Sequence, residues 1–251
     1  MAIKRRRVLV TGGAGFIGSH VAGAFLERGD RVVVLDSLET GRRDNVPADA
    51  EFAEMDIRDP GAARLIEEER FDLVCHHAAQ IDVRASVADP RQDAAVNVGG
   101  LLNLLEASRR AEVGRFVYVS SGGVVYGEPG HRPTPETSPK LPLSPYGVSK
   151  LAGEQYLYYY HRVHGLEYAA LRYSNVFGPR QDPHGEAGVV AIFCSRLLAG
   201  EALTVYGTGE QTRDYVFVGD VVAANLSVAE AALPPARGLD DRAFNVGTGR
   251  E

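Results

Sequence analysis

The segment VLVTGGAGFIGSH, residues 8–20, limits the fold more than any other stretch. A β-branched run from Val8 to Thr11 stops at Gly12. A helical pattern then covers residues 16–28, with Ile17, Val21, Phe25 and Leu26 roughly on one face, and Gly29 ends it. Glycines 12, 15 and 18 lie between strand and helix. A backbone that turns sharply and closely approaches a pyrophosphate needs glycine there. The helix N-terminus adds free N–H groups and a favourable dipole. A glycine-rich turn alone is weak evidence for a dinucleotide site, but here it has the strand before it and the helix after it that the motif requires.

The rest of the chain repeats the theme. Strands are predicted over 31–36, 52–57, 71–76, 116–120 and 168–173, and helices over 61–70, 91–110 and 147–164. Residues 31–36 are nearly all apolar inside, as in a strand buried on both faces of a parallel sheet. This alternation predicts an α/β fold, a Rossmann-like doubly wound parallel sheet. After Tyr173 the alternation loosens, and Gly, Pro and charged residues are frequent through Arg213. The predicted dinucleotide-binding domain is therefore 1–173, rejoined by about 214–233. Residues 174–213 and 234–251 form a smaller, incomplete C-terminal substrate-binding part.

At 251 residues the chain suits one large domain with an appendage and can bury a core without disulfides. Its net charge of −6 gives no general attraction to nucleic acid or anionic membrane, so neither is expected as a partner. No apolar run approaches a membrane span. The basic lead MAIKRRR runs straight into the first strand, which does not match a signal peptide. Cys75 and Cys194 are far apart and read as thiols in a reducing compartment. The expected location is the cytoplasm. Cys75, His76 and His77 are adjacent on a strand and point to alternate faces, so no metal site is expected.

Two sets of residues carry chemistry. The first would hold a dinucleotide: Gly12, Gly15 and Gly18 with Phe16 and Ile17, then Asp36 and Ser37 at the end of the second strand. A carboxylate at Asp36 can bind both adenosine ribose hydroxyls and repel a 2′-phosphate, which favours NAD over NADP. Arg42 and Arg43 either soften that exclusion or are solvated surface. Asp56 and Ile57 offer a polar edge and an apolar face to the adenine, and Asp56 reads equally as a helix cap. Ala78, Ala79 and Gln80 follow the fourth strand, and the small residues leave room for a cofactor. The second set is Tyr146 and Lys150 in SPYGVSK, four apart and so on one helical face. A tyrosine has a pKa of about 10 in water and is a poor base at neutral pH, but a nearby ammonium favours its phenolate. Alone, the pair would read as a surface lysine beside a core tyrosine.

The pair is not alone. TGGAGFIGSH, the strand end SSGGVVYG, SPYGVSK, LRYSNVFGPRQDPHGEAGVV and TRDYVFVGDV follow in one order. Through these motifs, from Arg7 to the C-terminus, the chain resembles the extended short-chain dehydrogenase/reductase superfamily, within it the NAD-dependent epimerase/dehydratase family and its nucleotide-sugar epimerases of the UDP-glucose 4-epimerase type. The resemblance implies that Tyr146 is the catalytic base and that Lys150 lowers its pKa and binds the nicotinamide ribose. It places Asn97 near the nicotinamide, a position that also reads as a helix cap, and Tyr173 against the nicotinamide. It puts Asn175 and Arg213 on the substrate diphosphate, Tyr206 against the uracil ring, and the backbone of Gly188 and Val189 on the base. Arg213 also reads as an ion-pair partner of Asp214 or Asp220. A UDP-sugar is the implied substrate, NAD the cofactor, and a homodimer through a four-helix bundle the implied assembly.

Two departures stand out. In the family a serine or threonine four residues before the tyrosine of the strand end binds the reacting sugar hydroxyl; here that position is Gly122. Ser121 is the nearest substitute, with Ser120 behind it, and the glycines would let the backbone shift Ser121 into place. A water, or no hydroxyl at all, is the competing reading. Second, family members continue past the point where this sequence ends. The continuation carries a second arginine and an aspartate for the nucleotide and a residue limiting the sugar's C2 substituent. The implied reaction is C4 epimerisation through a 4-keto sugar. Related 4,6-dehydratases carry Asp and Glu, and decarboxylases usually a Glu, where this chain has Gly123 and Val124. A non-catalytic NAD or nucleotide-sugar binder is the alternative from another class.

Overall fold

The structure, a computed structural model, describes residues 5–183 and 188–250. Among them, β1 (Arg7–Thr11), β2 (Arg31–Asp36), β3 (Glu51–Glu54), β4 (Leu73–His76), β5 (Arg115–Ser121), β6 (Tyr168–Tyr173) and β9 (Ala243–Val246) form one sheet in the order β3-β2-β1-β4-β5-β6-β9. Every neighbouring pair in it is parallel. The predicted third and fourth strands are shorter than the sequence pattern suggests. β3 stops at Glu54, so Asp56 and Ile57 lie beyond its end. The sequence grouped 234–251 with the substrate-binding part, but Ala243–Val246 pairs with β6 and lies at the edge of the large sheet.

Helices cover both faces, as a parallel sheet requires. α1 (Phe16–Glu27) and α9 (Val218–Glu230) pack together over a core of Val8, Val10, Val34, Cys75, Val117 and Leu171. On the other face lie α2 (Pro60–Glu69), α5 (Leu101–Arg110) and α7 (Pro145–His164), over Leu9, Leu35, Val74, Phe116 and Tyr118. α3 (Val83–Ala88) and α4 (Pro90–Ala94) follow β4. The helix predicted over 91–110 begins as α4, passes through a π turn at Ala95–Gly100, and continues as α5. Gly100 lets this turn press onto Ile57: a Cβ there would lie 2.5 Å from Ile57 Cδ1. α6 (Gly122–Val125) is a single turn after β5.

The strand order reverses between β1 and β4. In open α/β sheets the crevice at the carboxyl ends beside such a switch point is where ligands bind. A second, small unit flanks that edge. β7 (Asn175–Phe177) pairs with β8 (Tyr215–Phe217), and α8 (Val189–Leu198) has no buried residue.

Candidate active site

The glycine turn connects β1 to α1 at the switch point. Gly12 has φ +68°, and a Cβ there would lie 2.5 Å from Ala78 N, so only glycine lets the turn cross under the end of β4. A Cβ on Gly18 would lie 2.3 Å from Gly12 O, so Gly18 lets the helix close onto the turn. Gly15 is the N-cap, and no side chain caps the first turn of α1 and no acid lies in it. The N–H groups of Phe16, Ile17 and Gly18 are at that helix start, where an anion is favoured. Asp36 ends β2 beside them, its Oδ2 accepting from Ala14 N and Oδ1 from Leu38 N, both at 2.9 Å. Each oxygen keeps a further lone pair for a ribose hydroxyl. Ser37 follows it, exposed. This donor set, with one carboxylate and no cation in the turn, fits the diphosphate and adenosine ribose of NAD. Arg43 is stacked over the Phe52 ring at 4.5 Å.

The loop after β2 folds back onto this turn. Arg42 N and Asn45 Nδ2 both donate to Ala14 O, and a Cβ on Gly41 would lie 2.7 Å from Asp36 Oδ1. Sequence reasoning missed Gly41 and Asn45, whose only signal was a Gly and an Asn in a polar loop. Ala78 and Ala79 continue β4 past Gly12, with Ala78 N bonded to Thr11 Oγ1. Two other predicted contact residues, Ile57 and Gln80, are turned inward, and the cap reading of Asp56 is removed. Ile57 is 4 % exposed and turned into the core, because β3 has already ended. Asp56 caps no helix. It is clasped by Arg58, which holds its carboxyl below the usual carboxylate range, while Asp59 caps α2. Gln80 turns inward to Asp82 O and Asp93 Oδ1.

The predicted proton-transfer pair, Tyr146 and Lys150, is on α7. Ser144 caps this helix through Gly147 N, Pro145 follows, and Tyr146 N donates to Ser86 Oγ of α3 at 3.2 Å. Lys150, one turn on, is 3 % exposed and donates to Val119 O at 2.9 Å. Its Nζ lies 5.7 Å from the Tyr146 ring centroid and 5.1 Å from that of Tyr118. Burial lowers the Lys150 pKa to about 8, against the opposing charges of Asp93 and Glu154. A lysine so placed is ready to favour a phenolate on Tyr146.

Ser121 ends β5 opposite Tyr173, half-buried, and its hydroxyl makes no hydrogen bond among the described residues. Gly122 has no left-handed φ, so conformational freedom is not what places glycine there. A Cβ at Gly122 would lie 3.3 Å from Arg172 O and 3.4 Å from Tyr173 O, so the residue accommodates the close passage of β6. Ser120 is 2 % exposed and donates to Glu154 Oε1, so its hydroxyl is taken. The Tyr173 ring points into the core, its hydroxyl accepting from Asn225 Nδ2 at 2.6 Å. A contact with the nicotinamide would fall to its backbone. Asn97 is no helix cap. It lies in the π turn and exchanges hydrogen bonds with Gln80 N and O while donating to Asp93.

On the substrate side, the β7–β8 ladder pairs Asn175 with Tyr215, and Asn175 N donates to Asp214 O, one residue after Arg213. Asp214 is occupied by Thr248 and Gly249, so it is no partner for Arg213, which is exposed and bonds Thr212 O. Gly188 caps α8 and Val189 begins it. Tyr206 is 82 % exposed and is not brought to the sheet. His184, Gly185, Glu186 and Ala187 of the resembling motif lie outside the described residues. Sequence reasoning also missed the buried fork beneath Ser120. Arg172 Nε lies 3.0 Å from Glu154 Oε1 and its Nη2 2.6 Å from Oε2, while Nη1 donates to the Tyr126 hydroxyl. No group of three or more His, Cys, Asp or Glu among the described residues could hold a metal ion.

A dinucleotide cradle at the switch point, with a tyrosine–lysine pair on α7 held to β5 through Val119 O, gives the arrangement of an oxidoreductase-type α/β fold. The family model for the NAD dependent epimerase/dehydratase family matches residues 8–247, and the chain belongs to that family. It is 48 % identical to a UDP-glucose 4-epimerase of Mycolicibacterium smegmatis over 250 residues, 98 % of this chain and 78 % of that one. A crystal structure of UDP-glucose 4-epimerase with UDP-glucose from Thermotoga maritima is 48 % identical, with a TM-score of 0.92 over 97 % of this chain and 77 % of the other. The Thermus thermophilus UDP-glucose 4-epimerase in complex with NAD is 49 % identical, with a TM-score of 0.88 over 97 % and 78 %. A dTDP-D-glucose 4,6-dehydratase of Bos taurus is 34 % identical over 98 % of this chain and 69 % of its own. Family membership alone therefore leaves the reaction to the site.

Proposed function

We propose that the chain is an NAD-dependent nucleotide-sugar C4 epimerase acting on UDP-glucose/UDP-galactose-type substrates. The single observation that carries this is the site itself: Tyr146 and Lys150 lie one turn apart on α7, Lys150 bonded to Val119 O of β5, and no acid stands at Gly123 or Val124. In the resembling 4,6-dehydratases those positions carry Asp and Glu, and in the decarboxylases usually a Glu, whereas C4 epimerisation uses no acid there.

NAD, when bound, supplies acceptance and return of a hydride at the sugar C4. Gly12, Gly15, Phe16, Ile17 and Gly18 hold its diphosphate, and Asp36 with Ser37 its adenosine ribose. Ala78 and Ala79 line its path, and Lys150 binds the nicotinamide ribose. Tyr146, as phenolate, takes the 4-hydroxyl proton and gives it back once the 4-keto sugar has turned its other face. Lys150 keeps that phenolate accessible near neutral pH. Ser121 is the hydroxyl that orients the sugar O4. Asn175 and Arg213 bind the diphosphate, Gly188 and Val189 meet the base through their backbone, and Tyr206 closes on the uracil.

The assembly we infer is a homodimer. Val148, Tyr156, Tyr159 and Val163 form an exposed stripe on α7, at 54, 37, 46 and 60 % exposure, beside the 90–110 helix. Two such helices from each protomer would make a four-helix bundle. With its cysteines unpaired, the protein suits a reducing cytoplasm.

The test is proton NMR of the protein with UDP-glucose, UDP-N-acetylglucosamine and UDP-glucuronate in turn, without added NAD. Appearance of the C4 epimer names the reaction and the sugar and shows that cofactor is retained. No epimer from any of them, with NAD present by mass spectrometry, rejects this reading. Tyr146→Phe should lower turnover at least about a hundredfold, the usual worth of a general base, while leaving nucleotide binding intact.

A further inference from the structure

Asp93, on α4, is 1 % exposed. Its Oδ1 accepts from Gln80 Nε2 at 2.9 Å and from Asn97 Nδ2 at 3.0 Å, and its Oδ2 from Ser149 Oγ at 2.6 Å. Ser149 immediately precedes Lys150 on α7, Gln80 follows β4, and Asn97 is in the π turn. One carboxylate thus ties three segments of chain around the lysine.

Charged and titratable groups face Lys150 from β4, β5, α4 and α7 itself. At the end of β4, burial pushes His76 and His77 well below the ordinary imidazole value, so both are neutral. On β5, burial pushes the Tyr118 hydroxyl up, so it is neutral too. On α7, Tyr146 is the group Lys150 serves, and Glu154 is neutralised by the Arg172 fork. From α4 comes Asp93, which bonds no cation among the described residues. Among the charges that oppose the burial penalty on Lys150, that of Asp93 ranks first.

We propose that Asp93 is the positioning residue of the site: its buried charge holds Lys150 as an ammonium, and its three hydrogen bonds set the turn of α7 that carries Lys150 toward Tyr146. The role acts through Lys150, and it rests on the reading of Tyr146 and Lys150 as the proton-transfer pair. A sugar hydroxyl never needs to reach Asp93.

Asp93→Asn separates charge from geometry. Its amide oxygen can accept from Gln80 and Asn97, and its NH₂ can donate to Ser149. The readout is the tyrosinate absorbance of Tyr146 in NAD-loaded protein, taken as the difference from the matching Tyr146→Phe variant, so no sugar is involved. The expected result is an apparent Tyr146 pKa about one unit higher in Asp93→Asn, equivalent to about a tenfold smaller phenolate fraction at neutral pH. Retained NAD and the unfolding midpoint should stay close to those of the parent. A direct action of Asp93 on Tyr146 has the opposite sign, since removing a negative charge favours a phenolate. A downward shift, or none, overturns the proposal. So does an upward shift that persists when Lys150→Met is added, because the route through Lys150 is then gone. If Asp93→Asn does not fold, Asp93→Ser, which leaves room for a water, carries the same titration with the same criteria. Asp93→Glu should restore most of the parent value. Because the titration needs no turnover, failure of the epimerase reading in the sugar assay leaves this result standing by itself.

Discussion

The residue that concentrates the physical tension of this protein is Lys150. Its ordinary pKa of 10.5 falls to about 8 on burial. The folded chain therefore binds fewer protons than the unfolded one between those values. Stability then rises with pH across that window and carries its full penalty below it, about 3 kcal/mol. Lys150→Met should accordingly raise stability by about 1–3 kcal/mol near neutral pH while abolishing turnover. Urea unfolding at pH 7 and again at pH 10 would read this, and the gain should shrink at the higher value. Ser121 makes a second test at this scale. Ser121→Ala should lower kcat about tenfold to a hundredfold with little change in KM, if its hydroxyl orients the reacting oxygen. An unchanged kcat would assign that duty to water. Gly18→Ala should lose bound NAD, because its methyl would meet Gly12 O at 2.3 Å. Cofactor absorbance after gel filtration would show the loss.

Among the elements, β5, β6 and α7 behave as one piece. Ser120 on β5, Arg172 on β6 and Glu154 on α7 are joined by hydrogen bonds under the site, and Arg172 reaches on to Asp240. Arg172 is 1 % exposed, so removing it strands a buried carboxylate. Arg172→Met should cost about 3–5 kcal/mol by urea unfolding, and adding Glu154→Leu should recover part of it, since the charge left behind is then removed as well. The 90–110 helix shows how tertiary packing modifies a correct prediction. Its apolar periodicity was readable, but the π turn was not, because a one-residue wider turn leaves the composition unchanged. That turn lets Gly100 receive Ile57 and lets Asn97 reach Gln80. π turns are often found at functional sites for this reason: they re-aim a side chain without ending the helix.

For the whole molecule, the proposed homodimer makes the clearest prediction. Light scattering should give twice the protomer mass, and Tyr159→Glu on the α7 stripe should halve it, since an exposed apolar stripe tolerates no buried charge across a partner. At this scale the division between sequence and structure also becomes plain. The doubly wound class, the glycine turn and the one-turn spacing of Tyr146 and Lys150 were all legible in the sequence. Each of these is local: β-branched runs, glycines at fixed spacing, and a tyrosine and lysine four apart on one helix. The tertiary structure alone decided the rest. It turned Ser120, Ile57 and the Tyr173 ring inward, put Ala243–Val246 at the sheet edge, and gathered Asp93, Gln80, Asn97 and Ser149 around Lys150. These contacts join residues far apart in the chain, and burial and strand register set them, neither of which leaves a periodic trace in the sequence.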